Sequence, residues 1–121
     1  MPSDVERSAL RDILHHIALA QHFCLDQTYQ SFSDDVMRVY AVTRCLEIIS
    51  EASRRLSPEL KARHADIGWR DMAGAGNVYR HDYEDVVARR VWDTVQVALP
   101  PLKAVIDQEL DGEADTSGDG A

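Results

Sequence analysis

The sequence predicts an all-α protein: an antiparallel bundle of four principal helices with one short extra helix. Three observations predict it. Apolar residues recur at spacings of three, four and seven, with no strand alternation and no Asn-Gly or Asp-Gly hairpin between alternating runs. No glycine precedes Gly68. Helix-start signals stand at Ser3, Ser33 and Ser57, each ahead of an apolar-periodic or proline-led stretch.

The elements follow in order. Ser3 and Glu6 have the spacing of a capping box. After them Leu10, Ile13, Leu14, Ile17 and Cys24 form one apolar stripe, on a helix running to about Thr28. Ser33 is the expected cap of a second helix, with Asp34 and Asp35 at its positive end and Phe32 and Met37 as a hydrophobic staple. That helix runs to about Leu56. Its apolar residues, from Val36 to Leu56, cover more than one face, so it is central or part of a contact between two copies. Ser57-Pro58 opens a short helix, since serine caps and proline fits the first turn. A linker leads to Gly68, and another helical segment starts near Trp69 and ends near Tyr83. The last helix begins around Asp85, with Val91, Val95, Leu99, Leu102 and Ile106 on one stripe. Pro100-Pro101 removes two backbone donors inside it, which predicts a kink or break.

Length and charge bound the function. The 121 residues make one domain, residues 1–110, followed by an acidic tail, 111–121, expected to be disordered. Formal net charge is −8. The tail carries four acids and no base, so the remainder is only mildly acidic. This balance argues against a basic nucleic-acid-coating module or a polybasic membrane binder. No apolar run approaches the ~18 residues of a membrane span, and the first residues lack the form of a signal peptide. Cys24 and Cys45 sit in apolar stretches without a C-x-x-C, which points to reduced thiols and a cytoplasmic protein.

Metal chemistry finds no support. No Glu is followed by His three residues later, and there is no H-E-x-x-H. His15, His16 and His22 read as surface histidines, and no cofactor is expected. Trp69 and Trp92 read as core anchors, Glu51 as a hydrogen-bonded buried acid, and Arg54, Arg55, Arg89 and Arg90 as cations that are solvated or paired with the acidic tail. The dense patch is residues 69–83. Asn77 and His81 are four apart, hence on one helix face, with Arg80 adjacent and Tyr83 three residues beyond Arg80. Gly74 and Gly76 each cost a helix ~1 kcal/mol relative to Ala, which close packing or the approach of a phosphate would offset. Spacing alone leaves two readings open: Asn77 and His81 satisfy each other at a helix end, or His81 moves protons while Arg80 and Asn77 stabilise a phosphoryl group.

Several segments in order resemble one family. Residues 48–56, Ile-Ile-Ser-Glu-Ala-Ser-Arg-Arg-Leu, are similar to its I-I-G-E-A-x-K/R-R-L segment, with Ser50 where Gly is usual. Residues 67–74, Ile-Gly-Trp-Arg-Asp-Met-Ala-Gly, resemble its I-P-W-R-x-I-A-G, with Gly68 for Pro. Residues 77–83, Asn-Val-Tyr-Arg-His-Asp-Tyr, resemble its R-N-x-x-x-H-x-Y site without the first residue. Trp92 and Leu99-Pro-Pro-Leu102 are similar to its final helix. The family is the HEPN superfamily, and within it the HepT-like (DUF86) toxins.

The resemblance implies a HEPN-type homodimer with two catalytic segments facing each other in a shared cleft. It implies metal-independent cleavage of RNA; the acidic charge itself favours a narrow substrate, such as one tRNA region, over long RNA. It also implies a toxin–antitoxin pair of the type VII kind, in which an MNT-type nucleotidyltransferase antitoxin transfers AMP to the motif tyrosine, here Tyr83. The family arginine stands five residues before the histidine, and that position is Gly76. Either Arg80 supplies the missing charge, or the chain is an interaction module that has lost catalysis and only binds its nucleotidyltransferase partner or a nucleotide.

Overall fold

The computed structural model describes residues 3–72 and 84–119, with side chains over 3–72 and 86–112. Every element among the described residues is helical. They are α1 (Asp4–Cys24), α2 (Tyr29–Asp34), α3 (Val36–Ser53), α4 (Pro58–Arg63), α5 (Glu84–Asp93), a π-helical turn (Thr94–Ala98) and α6 (Leu99–Asp119). Residues 69–72 form a further helical turn. The all-α expectation holds.

The first cap forms as the spacing predicts. Ser3 Oγ accepts from the Glu6 N–H, and the Glu6 carboxylate accepts from the Ser3 N–H. The stripe behind it is the core face: Leu10, Ile13 and Ile17 are fully buried and Cys24 nearly so. α1 stops at Cys24 rather than Thr28. The chain turns through Asp26, whose φ of 60° lies in the left-handed region that an aspartate tolerates better than most residues.

The second cap differs from expectation. Thr28 caps a separate short helix, α2, in which Ser33 is an interior residue donating to the Gln30 carbonyl. The cap of α3 is Asp35, whose carboxylate accepts from the Arg38 N–H at 3.1 Å. An acid two residues nearer the apolar run satisfies the free donors of the first turn and meets the positive end of the dipole, so Asp35 outcompetes Ser33. The staple is absent as well. Phe32 is fully buried, whereas Met37 is 83% exposed. Phe32 instead packs on Trp92 of α5, with ring centroids 5.3 Å apart.

α3 ends at Ser53, and Leu56 is buried in the link beyond it. Ser57 then caps α4 by accepting from the Leu60 N–H, with Pro58 in the first turn, as predicted. The carboxylate of Glu6 also receives the Ser57 N–H, at 2.6 Å, and so ties the start of α1 to the start of α4. Glu51 is exposed, which corrects its reading as a buried acid. Among the described residues Glu6 is a buried acid, 8% exposed.

The final stripe is borne out: Val91, Val95, Leu99, Leu102 and Ile106 are all buried. The chain stays helical across Pro100-Pro101, so the expected break does not occur, and the irregularity there is a π-helical turn. The helix widens into the π-helical turn just before the pair, where the Leu99 N–H reaches back five residues to the Thr94 carbonyl. A proline inside a helix removes a backbone donor and crowds the preceding turn, and here it is the turn before the pair that is widened while the helix runs on. The backbone stays helical through Asp119, beyond residue 111 where a tail is expected to begin.

α1 packs mainly on α3 and also on α6, while α5 packs on α2 and α3. One continuous core joins them, from Ala9 to Ile106. Cys24 and Cys45 are free thiols inside it; burial pushes Cys24 up to about 11 and raises Cys45. Both stay protonated near neutrality and serve as small apolar side chains.

Candidate functional site

The residues expected to carry chemistry, Asn77, Arg80, His81 and Tyr83 with Gly74 and Gly76, all lie outside the described residues. What the structure describes is the chain that leads into them and the helix that follows them.

The entry is built on a compact polar cluster between α4 and α6. Glu109 of α6 lies among neighbours that leave its side chain 11% exposed. Arg63 donates to one of its oxygens at 2.7 Å, and His64 Nε2 meets the other at 2.7 Å. Burial pushes the Glu109 carboxyl up, but the hydrogen bonds from Arg63 and His64 outweigh it and hold the group below the ordinary glutamate range. The backbone of His64 carries the connection onward. Its carbonyl accepts from the Ile67 N–H at 3.1 Å and from the Trp69 indole N–H at 3.0 Å. Trp69 packs partly buried against the core, and the Met72 N–H closes the following turn on the Gly68 carbonyl. Gly68 holds the place of a proline without crowding: a Cβ there would meet its nearest neighbour, Asp71, at 3.7 Å.

A cavity of about 400 Å³ opens beside this turn, with Ile49, Ile67, Met72 and Leu99 among its walls. Asp66 and Asp71 also line it. Two acids beside an apolar floor disfavour a phosphate, so the cavity is no substitute for the motif as a place to bind an RNA backbone.

On the exit side, Trp92 of α5 sits against Phe32 and Tyr29, a core anchor as predicted. Arg89 lies over the Tyr29 ring, 4.6 Å from its centroid, and pairs with Asp93 at 3.5 Å. Arg55 pairs with Asp12 at 3.0 Å. Both arginines thus pair with acids of the bundle rather than with the acidic tail. His15 and His22 are exposed, and His16 shares its Nδ1 with the Asp12 carbonyl. Among the described residues no group of three His, Cys, Asp or Glu side chains is arranged to hold a metal ion, and no helix is long and apolar enough to cross a membrane.

Sequence reasoning missed the Arg63–His64–Glu109 cluster. Its members are 45 and 46 residues apart, and no local pattern marks them as neighbours. The one available signal was the adjacent Arg-His pair at the end of a short helix.

Comparison with known proteins places these observations. No solved structure matches the chain. It is 35% identical over 99 residues to a Thermococcus cleftensis protein named "Probable ribonuclease HepT", covering 82% of this chain and 90% of that one. A candidate RNase of Methanocaldococcus jannaschii is 30% identical over 103 residues, 85% of this chain and 89% of its own. A second from that organism is 27% identical over 120 residues, 97% and 99% of the two chains. The family model described as "Ribonuclease HepT-like" matches residues 13–109, which take in the anchored entry, the motif segment and most of the final helix. The chain belongs to the HepT-like family of the HEPN superfamily.

Proposed function

We propose that the protein is a metal-independent endoribonuclease toxin that works as a homodimer. The observation that carries this reading is the family match across residues 13–109, with Asn77, His81 and Tyr83 in motif order inside it. A ribose 2′-oxygen attacks the adjacent phosphorus in line, the bond to the 5′-oxygen breaks, and the products are a 2′,3′-cyclic phosphate and a free 5′-hydroxyl. His81 takes the proton of the 2′-hydroxyl or delivers one to the departing 5′-oxygen, since its ordinary pKa suits both. Arg80 stabilises the charged oxygens in place of the arginine missing at Gly76. On an ideal helix it points ~100° from His81, so it serves the site across a two-fold axis more readily than its own His81. Asn77 orients the histidine or the phosphate. Gly74 and Gly76 let backbone approach closely, and Tyr83 contacts substrate and receives AMP from a nucleotidyltransferase antitoxin.

The test is growth of cells expressing wild type, His81→Ala or Arg80→Ala without any partner, beside RNA incubated with each purified protein in EDTA. Wild type should arrest growth and cut RNA, and His81→Ala should do neither. Intact RNA in every buffer at micromolar protein rejects the nuclease reading. Gly76 supports a second reading, an interaction module that binds the nucleotidyltransferase without cleaving. Mass spectrometry of the protein co-expressed with that partner separates the two: added AMP on Tyr83 supports neutralisation of an active toxin, and unmodified Tyr83 in a harmless complex supports the module.

A further inference from the structure

We infer that His64 and Glu109 are positioning residues: they fix Trp69, and through it the turn by which the chain enters the motif segment. The inference rests on the proposed nuclease reading for its consequence, but its geometry stands apart from that reading. The two side chains are 10% and 11% exposed and 2.7 Å apart, so this contact is shielded from competing water. One residue, His64, thereby joins two structures. Its imidazole is held by α6, and its carbonyl holds both the Ile67 N–H and the Trp69 indole. His64 lies outside helical geometry, at φ −125° and ψ 55°, so the helix ladder of α4 does not fix where its carbonyl points. The imidazole–carboxylate contact supplies that constraint.

The bundle therefore transmits the place of α6 to Trp69 by two hydrogen bonds. The turn at 69–72 starts there, and Asn77 follows Trp69 by eight residues in the chain. Arg63 provides an internal control. It reaches the same carboxylate at the same distance from a half-exposed position, so it shares in holding Glu109 but not in holding Trp69.

The test uses the full-length protein and the variants His64→Ala, Glu109→Ala and Arg63→Ala. Hydrogen exchange at the Trp69 indole is followed by NMR, its signal assigned with Trp92→Phe, alongside kcat and KM for RNA cleavage. Exchange should accelerate about tenfold in His64→Ala and Glu109→Ala and less than about twofold in Arg63→Ala. Turnover should fall about tenfold or more in the first two, with KM nearly unchanged, because a displaced catalytic group loses rate before it loses binding. Unchanged indole exchange in His64→Ala overturns the inference, as does an equal loss of turnover in all three variants. Accelerated exchange with wild-type turnover overturns it too. If Glu109→Ala fails to fold, His64→Ala decides alone. If wild type cuts no RNA, the nuclease reading fails, and indole exchange still decides whether His64 and Glu109 hold Trp69.

Discussion

Glu6 shows how much a single side chain can carry in a chain of this size. Its carboxylate closes the α1 cap and receives the N–H of the residue that caps α4. Hydrogen bonding by the Ser57 side chain, with smaller help from its N–H, is the main cause that holds it below the ordinary glutamate range, against the opposing effect of burial. Glu109 is held low as well. Both groups therefore contribute stability that is fully present above the unfolded value, about pH 4.3. As pH falls through their lower folded values, protons bind the unfolded chain first and that contribution is lost. A urea midpoint measured against pH should fall on the acid side, and Glu6→Gln should flatten that fall. At neutral pH the same substitution should cost about 1–2 kcal/mol, since two N–H groups lose a charged acceptor. The capping role of Glu6 was legible from its three-residue distance to Ser3. Its bond to Ser57, 51 residues away, was not, because only the packing of α4 beside α1 brings them together.

At the scale of elements, the start of α3 separates local preference from local competition. Ser33 and Asp35 are both acceptable caps, and the structure uses Asp35. Asp35→Ala should therefore cost about 1 kcal/mol in chemical denaturation, and Ser33→Ala less than about half of that. Equal costs would show that the helix starts where the sequence first suggested. The last helix makes a similar point. Its stripe was legible across the proline pair because the core-facing residues keep helical intervals of three or four throughout. The turn that lets it pass the prolines was not, since a π-helical turn trades backbone hydrogen bonds for packing that the sequence does not display. Leu102, fully buried just past the prolines, is the test. Leu102→Ala should cost about 2–5 kcal/mol, as in any well-packed core. A cost under about 1 kcal/mol would mean that α6 beyond the prolines does not share the core.

At the scale of the molecule, α2 joins the bundle through Phe32, which is fully buried against Trp92. Phe32→Ala should cost about 3–5 kcal/mol in the urea transition of the whole domain, because it removes an aromatic anchor shared by α2 and α5. The outward side of α3 carries Val36, Met37 and Tyr40 exposed, consistent with a helix whose apolar residues cover more than one face. The motif residues, Asn77, Arg80, His81 and Tyr83, were legible as an ordered pattern at helical spacing; their role depends on neighbours that the pattern does not name. By itself the sequence determined the all-α class, the buried stripes of the first and last helices, the capped starts of α1 and α4, and the family, because all of these are written in spacings of a few residues. The tertiary structure decided that Glu6 is buried and Glu51 exposed, which residue caps α3, that the helix passes Pro100 and Pro101 through a π-helical turn, and that Arg63, His64 and Glu109 meet. Those outcomes depend on contacts between residues far apart in the chain, or on competition between nearby residues, and both are resolved only when the helices pack.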